Sequence, residues 1–164
     1  ADELEPILHA LGAWAHRHVD PEPGLQALDA RVLMWNLRRK IDYAALPPRR
    51  AVVQFTLREP GAQDFVAWLL LRPGRGTDLC MVDPRDEIDL FVTADLRAFT
   101  EAFMGHSDFA AEIARGRIEL IGDAAMAASL SKWLIRSSFA PAAEARRRVG
   151  RALTPAPALG PRSP

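Results

Sequence analysis

"AVVQFTLREPGAQDFVAWLLLRPGRGTDLCMV", residues 51–82, decides the fold. Its first eight residues alternate: Val53, Phe55 and Leu57 fall on one face, Gln54 and Thr56 on the other. A period of two marks a strand with one buried face. Pro60-Gly61 turns the chain, and "FVAWLLLR" (65–72) is so uniformly apolar that it reads as a central strand covered on both faces. "PGRG" (73–76) is a second turn and "TDLCMV" (77–82) a third strand. Asp83-Pro84-Arg85-Asp86 turns again, and "EIDLFVT" (87–93) is a fourth strand. These connections are short, which favours antiparallel neighbours, because parallel pairs need a long crossover.

Helical patterns lie on both sides of this run. Downstream, Thr93 or Asp95 can cap "LRAFTEAFM" (96–104), and Gly105 ends it. Ser107 can cap "DFAAEIAR" (108–115), with Gly116 at its end. "RIELI" (117–121) is a fifth strand, flanked by helices and so free to join the sheet in parallel with a neighbour. Asp123 caps "AAMAASLSKWLIRS" (124–137). Residues 140–164 turn to Ala, Arg and Pro and are expected to form a disordered tail. Upstream, Pro47-Pro48 forbids regular helix in residues 42–50, and Asp29 reads as the N-cap of a helix over 30–41. "DPEPG" (20–24) breaks the chain as a linker. Residues 2–18 form one amphipathic helix: Leu4, Leu8, Leu11, Ala15 and His18 step by four and three, and Ile7 and Trp14 widen the face. That face is too apolar to stand alone in water. It packs on its own domain or forms a dimer seam through Leu4, Ile7, Leu8, Leu11 and Trp14; the spacing suits either.

Strands followed by helices indicate an α+β fold: a mostly antiparallel five-stranded sheet covered on one face by helices, preceded by a long N-terminal amphipathic helix. The expected divisions are an N-terminal helix over 1–19, a linker over 20–24, a domain over 25–139 and a tail over 140–164.

The chain has 164 residues, 49% hydrophobic and 26% charged, which suits one globular domain with a real core. Lys+Arg 21 against Asp+Glu 21 leaves no net charge, so no general attraction to nucleic acid or anionic membrane is built in. Lysine occurs only at Lys40 and Lys132. The single Cys80 excludes an internal disulfide and a cysteine zinc site, which fits a cytoplasmic protein. No apolar run approaches a membrane span, and no signal-peptide pattern is present. The sequence opens inside a helical pattern without an initiator Met, as expected of a piece of a longer protein.

No catalytic motif stands up, so an enzyme is not expected. Gly74-Arg75-Gly76 lacks the third glycine of a dinucleotide loop, and there is no P-loop or Gly-x-Ser-x-Gly elbow. His9, His16 and His18 share the first helix, but the rings of His16 and His18 point apart, so no metal is expected. Asp83, Asp86, Glu87 and Asp89 lack the ligand spacing and turn glycine of a calcium loop and read as a solvated turn. Cys80 has no adjacent cation to activate it. Arg146, Arg147, Arg148 and Arg151 make a basic tail that could touch nucleic acid but reads better as a solubilising end. What remains is apolar: Trp35, Phe55, Phe65, Trp68, Phe91, Phe99, Phe103, Met104, Met126, Leu130 and Trp133. Core packing accounts for most of them. Methionines beside the small alanines at 124, 125, 127 and 128 can also border a cleft between helix and sheet. The expected lining is Trp35, Phe55, Trp68, Phe91, Phe99, Phe103, Met104, Met126, Leu130 and Trp133.

"IDLFVTADLRAFTEAFMGHSDFAAEIARGRIELIGDAAMAASLSKWL" (88–134) resembles the C-terminal half of a sterol carrier protein 2-like domain. Asp95-Leu96 starting a helix after a strand, "GRIELIGD" (116–123) and the Ala-rich helix with Trp133-Leu134 carry the likeness, which extends over about residues 25–139. "LEPILHALGAWAHRHV" (4–19) resembles the last helix of an HxlR-type winged helix domain, and "LSKWLIRSSFA" (130–140) resembles the endings of proteins that fuse the two. The resemblance implies the effector portion of a bacterial transcription regulator: a homodimer that binds an apolar small molecule or lipid, needs no cofactor and does not insert into membranes. It also implies that DNA is bound only through a winged helix region missing from this chain. The sequence leaves two rival expectations, a ligand-free dimerisation module and a free-standing lipid carrier.

Overall fold

The structure is a computed structural model that describes residues 3–153, with side chains through residue 149. Five strands, β1 (Ala51–Arg58), β2 (Phe65–Arg72), β3 (Gly76–Cys80), β4 (Leu90–Asp95) and β5 (Ile118–Gly122), form one sheet in the order β3-β2-β1-β4-β5. Three of its pairings are antiparallel, β1–β2, β2–β3 and β4–β5, and β1–β4 is parallel. The expected α+β fold with a mostly antiparallel sheet is the observed one. Two details differ. β5 pairs antiparallel to β4, and the parallel partner of β1 is β4. The reason lies in residues 81–89. They carry the chain from β3, past β2 and β1, to the far side of β1, which a tight turn cannot do.

Period-two alternation decides the faces. Ala51, Val53, Phe55 and Leu57 of β1 point to the same side as Ala67, Leu69 and Leu71 of β2 and Leu90, Val92 and Ala94 of β4, and all of them are buried in the main core. The helices cover this face. α3 (Ala30–Leu37) contributes Leu33, Met34 and Leu37, and α4 (Leu96–Met104) contributes Leu96, Phe99, Ala102 and Phe103. α5 (Phe109–Ala114) brings Phe109, α6 (Ala124–Ala128) brings Met126, and α7 (Leu130–Trp133) brings Leu130 and Trp133. Phe99 sits at the centre. Its ring meets Phe55 edge-on at 5.8 Å and lies 5.2 Å from Phe109, favourable arrangements for aromatic quadrupoles. On the opposite face Val52, Trp68 and Leu70 are buried as a second, smaller cluster, with Ile88 of the crossover packed on it. Trp68 Nε1 is buried without a hydrogen-bond partner. Phe91 and Ile121 continue this face into solvent at 38% and 68% exposure.

Aspartates start the helices. The Asp29 carboxylate accepts from the Arg31 N–H at 2.7 Å, Asp95 from Ala98 at 2.7 Å and Asp123 from Ala125 at 2.9 Å, each satisfying a donor that the first turn leaves unpaired. Asp108, rather than Ser107, caps α5, accepting from Ala111 at 2.8 Å. Ser107 instead donates to Glu112, a carboxyl side chain that is fully buried. Arg115 donates to the Glu112 carboxylate at 3.1 Å, and Arg117 Nη2 lies 2.5 Å from its second oxygen, so this buried acid ties α5 to β5. The expected helix over 124–137 is two short ones. Ser129 bonds back to the Ala125 carbonyl at 2.7 Å, and the chain extends at Leu134, where Asp42 N–H donates to Trp133 O at 2.7 Å and Ile135 N–H to Lys40 O at 2.8 Å. α3 ends at Leu37, short of residue 41, where the Arg39 N–H donates to the Asn36 carbonyl and the Lys40 N–H to the Leu37 carbonyl.

The two ends of the described chain pair with each other. α1 (Leu4–His18) packs against α8 (Ala140–Leu153). Ala140–Leu153 is therefore helix, not the expected disordered tail; the rest of that expectation, 154–164, lies outside the described residues. Its arginines suit a helix surface, and Ala140 and Ala143 are small enough to be buried beneath it. The expected linker also contains structure: Glu22–Gln26 is a one-turn helix, α2. Phe99→Ala should destabilise the protein by about 3–5 kcal/mol. Ile121→Ala should change stability by no more than about 0.5 kcal/mol. Urea unfolding followed by circular dichroism measures both.

Candidate ligand-binding cleft

The space beneath the sheet is full. Phe55, Phe99, Met126 and Trp133 are each 0% exposed, and the Trp133 indole N–H donates to the Met126 carbonyl at 2.9 Å. Of the α6 alanines, Ala124, Ala125 and Ala128 are exposed and only Ala127 packs partly on the core, so they border no space beneath the sheet. Of the ten residues expected to line a pocket, Phe55, Phe99, Phe103, Met126, Leu130 and Trp133 belong to the main core and Trp68 to the second cluster. Trp35 is half exposed, with the Arg38 guanidinium 3.9 Å above its ring, and Phe91 lies on the open sheet face. The structure does not bring these ten together around one space.

Open volume lies elsewhere. A half-open cleft of about 460 Å³ sits where α1 meets the body of the domain, within the usual range for small-molecule sites. Its walls are Ala15, His16 and Val19 at the end of α1, the segment from Asp20 to Leu28, and Thr100, Met104 and His106 at the end of α4. Met104 is the one expected lining residue found there. The sequence signal for this site was the Pro-Gly joint itself, since a chain that reverses between helices leaves a corner that side chains only partly fill.

Each wall is held in place by a distinct contact. Arg97 of α4 grips Glu22 of α2 through two hydrogen bonds, at 2.9 and 2.6 Å, and reaches Glu101 at 3.0 Å. The first of these partnerships holds the Glu22 carboxyl below its ordinary range. The Arg146 guanidinium of α8 donates to the Val19 carbonyl at the end of α1. Phe139 stacks on His16 at 5.1 Å with planes 17° apart and also meets His9 at 5.2 Å. Gly12 makes this approach possible: a Cβ there would sit 2.6 Å from the Phe139 ring. Gly105, at φ +87°, ends α4 in the left-handed conformation, and a side chain there would strike the Ala140 carbonyl at 2.5 Å.

The polar groups of the cleft are few. Thr100 donates to the Leu96 carbonyl at 2.8 Å and is satisfied within its helix. Asp20, at the rim, accepts from the Glu22 N–H at 3.1 Å. His16 and His106 face one another, ring centroids 5.9 Å apart. Burial lowers both pKa values below the ordinary 6.5, and for His106 the repulsion of His16, Arg146 and Arg147 adds to it while Glu101 opposes it. Two largely neutral imidazoles therefore flank an apolar space at neutral pH. Among the described residues, no group of three or more His, Cys, Asp or Glu side chains is gathered to hold a metal, and no helix is long and apolar enough to cross a membrane.

The five residues expected at a dimer seam are on the surface. Leu4, Ile7, Leu8, Leu11 and Trp14 are between 51% and 63% exposed. They share one stripe of α1, while His9, Gly12 and His16 turn toward Phe139.

No protein-family model matches the sequence, and no curated protein sequence shows a significant match. Solved structures do align. A double mutant of the sec-alkylsulfatase PisA1 aligns over 70% of this chain and 18% of its own, at 18% identity and a TM-score of 0.53. The stereoselective inverting sec-alkylsulfatase Pisa1 from Pseudomonas sp. aligns over 70% of this chain and 17% of its own, at 19% identity and a TM-score of 0.50. Sterol carrier protein 2 like 2 from Aedes aegypti covers 61% of this chain and 91% of its own, at 18% identity and a TM-score of 0.45. The likeness to the alkylsulfatase is one of fold alone, and this chain spans less than a fifth of that protein's length.

Unfolded histidines titrate first as pH falls, because their folded counterparts are held below 6.5. The stability at stake is fully present above the ordinary value and declines as pH drops through 6.5 toward the folded values. Melting followed by tryptophan fluorescence should therefore show a loss between pH 7 and pH 5. Replacing both residues, His16→Gln with His106→Gln, should flatten that loss.

Proposed function

We propose that this chain is a non-enzymatic effector domain that binds an apolar small molecule in the α1–α4 cleft and supports dimerisation through α1. The observation that carries the reading is that the cleft is bounded by the last turn of the helix that bears the exposed stripe. A guest there touches Ala15, His16 and Val19 on α1 and Thr100 and Met104 on α4. Its affinity must then differ between arrangements of α1 relative to the body of the domain, and that difference is what couples one site to another. The stripe of Leu4, Ile7, Leu8, Leu11 and Trp14 seats against the same stripe of a second copy, since a contiguous apolar patch of this kind is costly in water.

The sequence resemblance to sterol carrier protein 2-like domains supports an apolar or lipid ligand, and the resemblance of α1 to the last helix of an HxlR-type domain supports a place in a bacterial, cytoplasmic transcription regulator. In that setting a winged helix region outside this chain contacts DNA, and the cleft reports ligand to it through α1. No cofactor is required. One observation favours a second reading, a ligand-free dimerisation module: the interior beneath the sheet is filled, so α1 and its stripe could suffice without a guest.

Two measurements separate these readings. Sedimentation should give a dimer for the natural sequence and a monomer for Leu8→Glu with Leu11→Glu. In a thermal-shift screen, apolar metabolites should raise Tm, and Met104→Trp, which fills the cleft, should remove the response. A dimer insensitive to every compound leaves the structural module. A monomer that still binds apolar compounds removes the α1 seam and leaves a carrier.

A further inference from the structure

We propose that the cleft selects a weak acid with an apolar body, whose carboxyl group docks against His16 and His106 and is accompanied by the uptake of one proton. This rests on the ligand-binding reading above and adds the chemistry of the head group. Three features of the site converge on it.

First, the two imidazoles form one edge of an otherwise apolar wall, and they are close enough, at 5.9 Å between centroids, for one small group to touch both. Among the described residues neither ring makes a hydrogen bond to another protein group, so both keep donors and acceptors to offer.

Second, the surrounding charge favours an anion. Arg146 and Arg147 of α8 repel a proton on His106, as His16 does from α1. On the acidic side, Glu101 of α4 is held by Arg97 at 3.0 Å, and Asp20 stands at the rim and accepts from the Glu22 N–H. Arg97 is itself paired with Glu22. His9 lies beyond Phe139, which covers the outer face of His16. Arg146 is bonded to the Val19 carbonyl, and Arg147 lies 4.0 Å from Asp108. A carboxylate at the shared edge of the two rings thus meets two imidazoles with this positive charge behind them, and the acids nearby are engaged or peripheral.

Third, the proton balance follows from burial. In the empty cleft the imidazoles are held neutral, because desolvation opposes their charge. An acid that is ionised in solution carries its negative charge into the same space. Protonating one imidazole at nitrogen converts an unpaired, partly desolvated anion into a charge-assisted hydrogen bond between imidazolium and carboxylate. The proton comes from solvent, so the complex holds one more proton than the separated partners, and no other bond forms or breaks. A neutral analogue of the same shape fills the apolar part without taking up a proton.

The test uses the 164-residue chain with 4-phenylbutyrate and its neutral counterpart 4-phenylbutanol. Titration calorimetry in phosphate and in Tris at one pH separates proton uptake from binding heat, because the two buffers release a proton with different enthalpies. The expected result is uptake approaching one proton per site near pH 7.5 for the acid and none for the alcohol. Affinity for the acid should rise up to about tenfold per pH unit between pH 8.5 and 7.5, the limit for one linked proton. Proton NMR of the histidine rings should show at least one of the two titrating above its ordinary value in the complex. His16→Gln with His106→Gln should abolish both the uptake and the pH slope. Equal heats in the two buffers for the natural sequence would overturn the proposal without reference to any variant. If the alcohol binds and the acid does not, the head-group assignment fails while the apolar cleft stands. If neither binds at millimolar concentration, both readings fall.

Discussion

The parallel pairing of β1 with β4 is the constraint on which the rest of the molecule depends. It runs from Val53 opposite Leu90 to Arg58 opposite Asp95. To achieve it the chain must cross from one side of β1 to the other, and residues 81–89 do so without a helix. Asp89 anchors the end of that path. Its carboxylate accepts from the Val52 N–H at 2.8 Å, its own N–H donates to the Val52 carbonyl at 2.9 Å, and Arg49 bridges it to Asp123, 3.0 Å from the guanidinium. The acidic cluster that reads as a solvated turn in the sequence is partly this clamp, with Asp86 paired to Arg50.

Once β4 is fixed, α4 has nowhere else to go. Asp95 ends the strand and caps the helix, so Phe99 and Phe103 fall on the buried face of the sheet, while Thr100 and Met104 fall toward the first helix. The ring of Phe99 fills the centre. The cleft is what remains at the far end, where a long helix, a proline-rich joint and a helix terminus converge. A filled interior and an open corner are therefore products of the same packing. Aromatic rings close the middle, and the one-turn α2 at the corner, begun by Pro21 and Pro23, leaves that end open.

The corner is also where the two ends of the described chain meet. α1 has no fully buried residue of its own. It is held by α8, by the stack of Phe139 between His9 and His16, and by the bond from Arg146 to Val19. These contacts attach α1 to α8 and the Phe139 segment, not to the main core beneath the sheet. The side chains that close one wall of the cleft, Ala15, His16 and Val19, belong to the end of this same element.

The sequence by itself determined the elements and the faces they bury. Alternation in residues 51–57 fixed the core side of β1, aspartates at 29, 95 and 123 marked helix starts, and the apolar stripe on residues 4–14 was visible as a stripe. These are local properties, written in period and in capping chemistry. Only the tertiary structure decided which strand lies beside β1, that Ala140–Leu153 folds back as a helix on α1, and that the expected pocket aromatics fill the core instead of lining a space. Such outcomes depend on residues far apart in the chain. Phe55, Phe99 and Trp133 have the same composition whether they close a core or border a cavity, and His16 and His106, separated by ninety residues, become a pair only when α1 and α4 are brought to one corner.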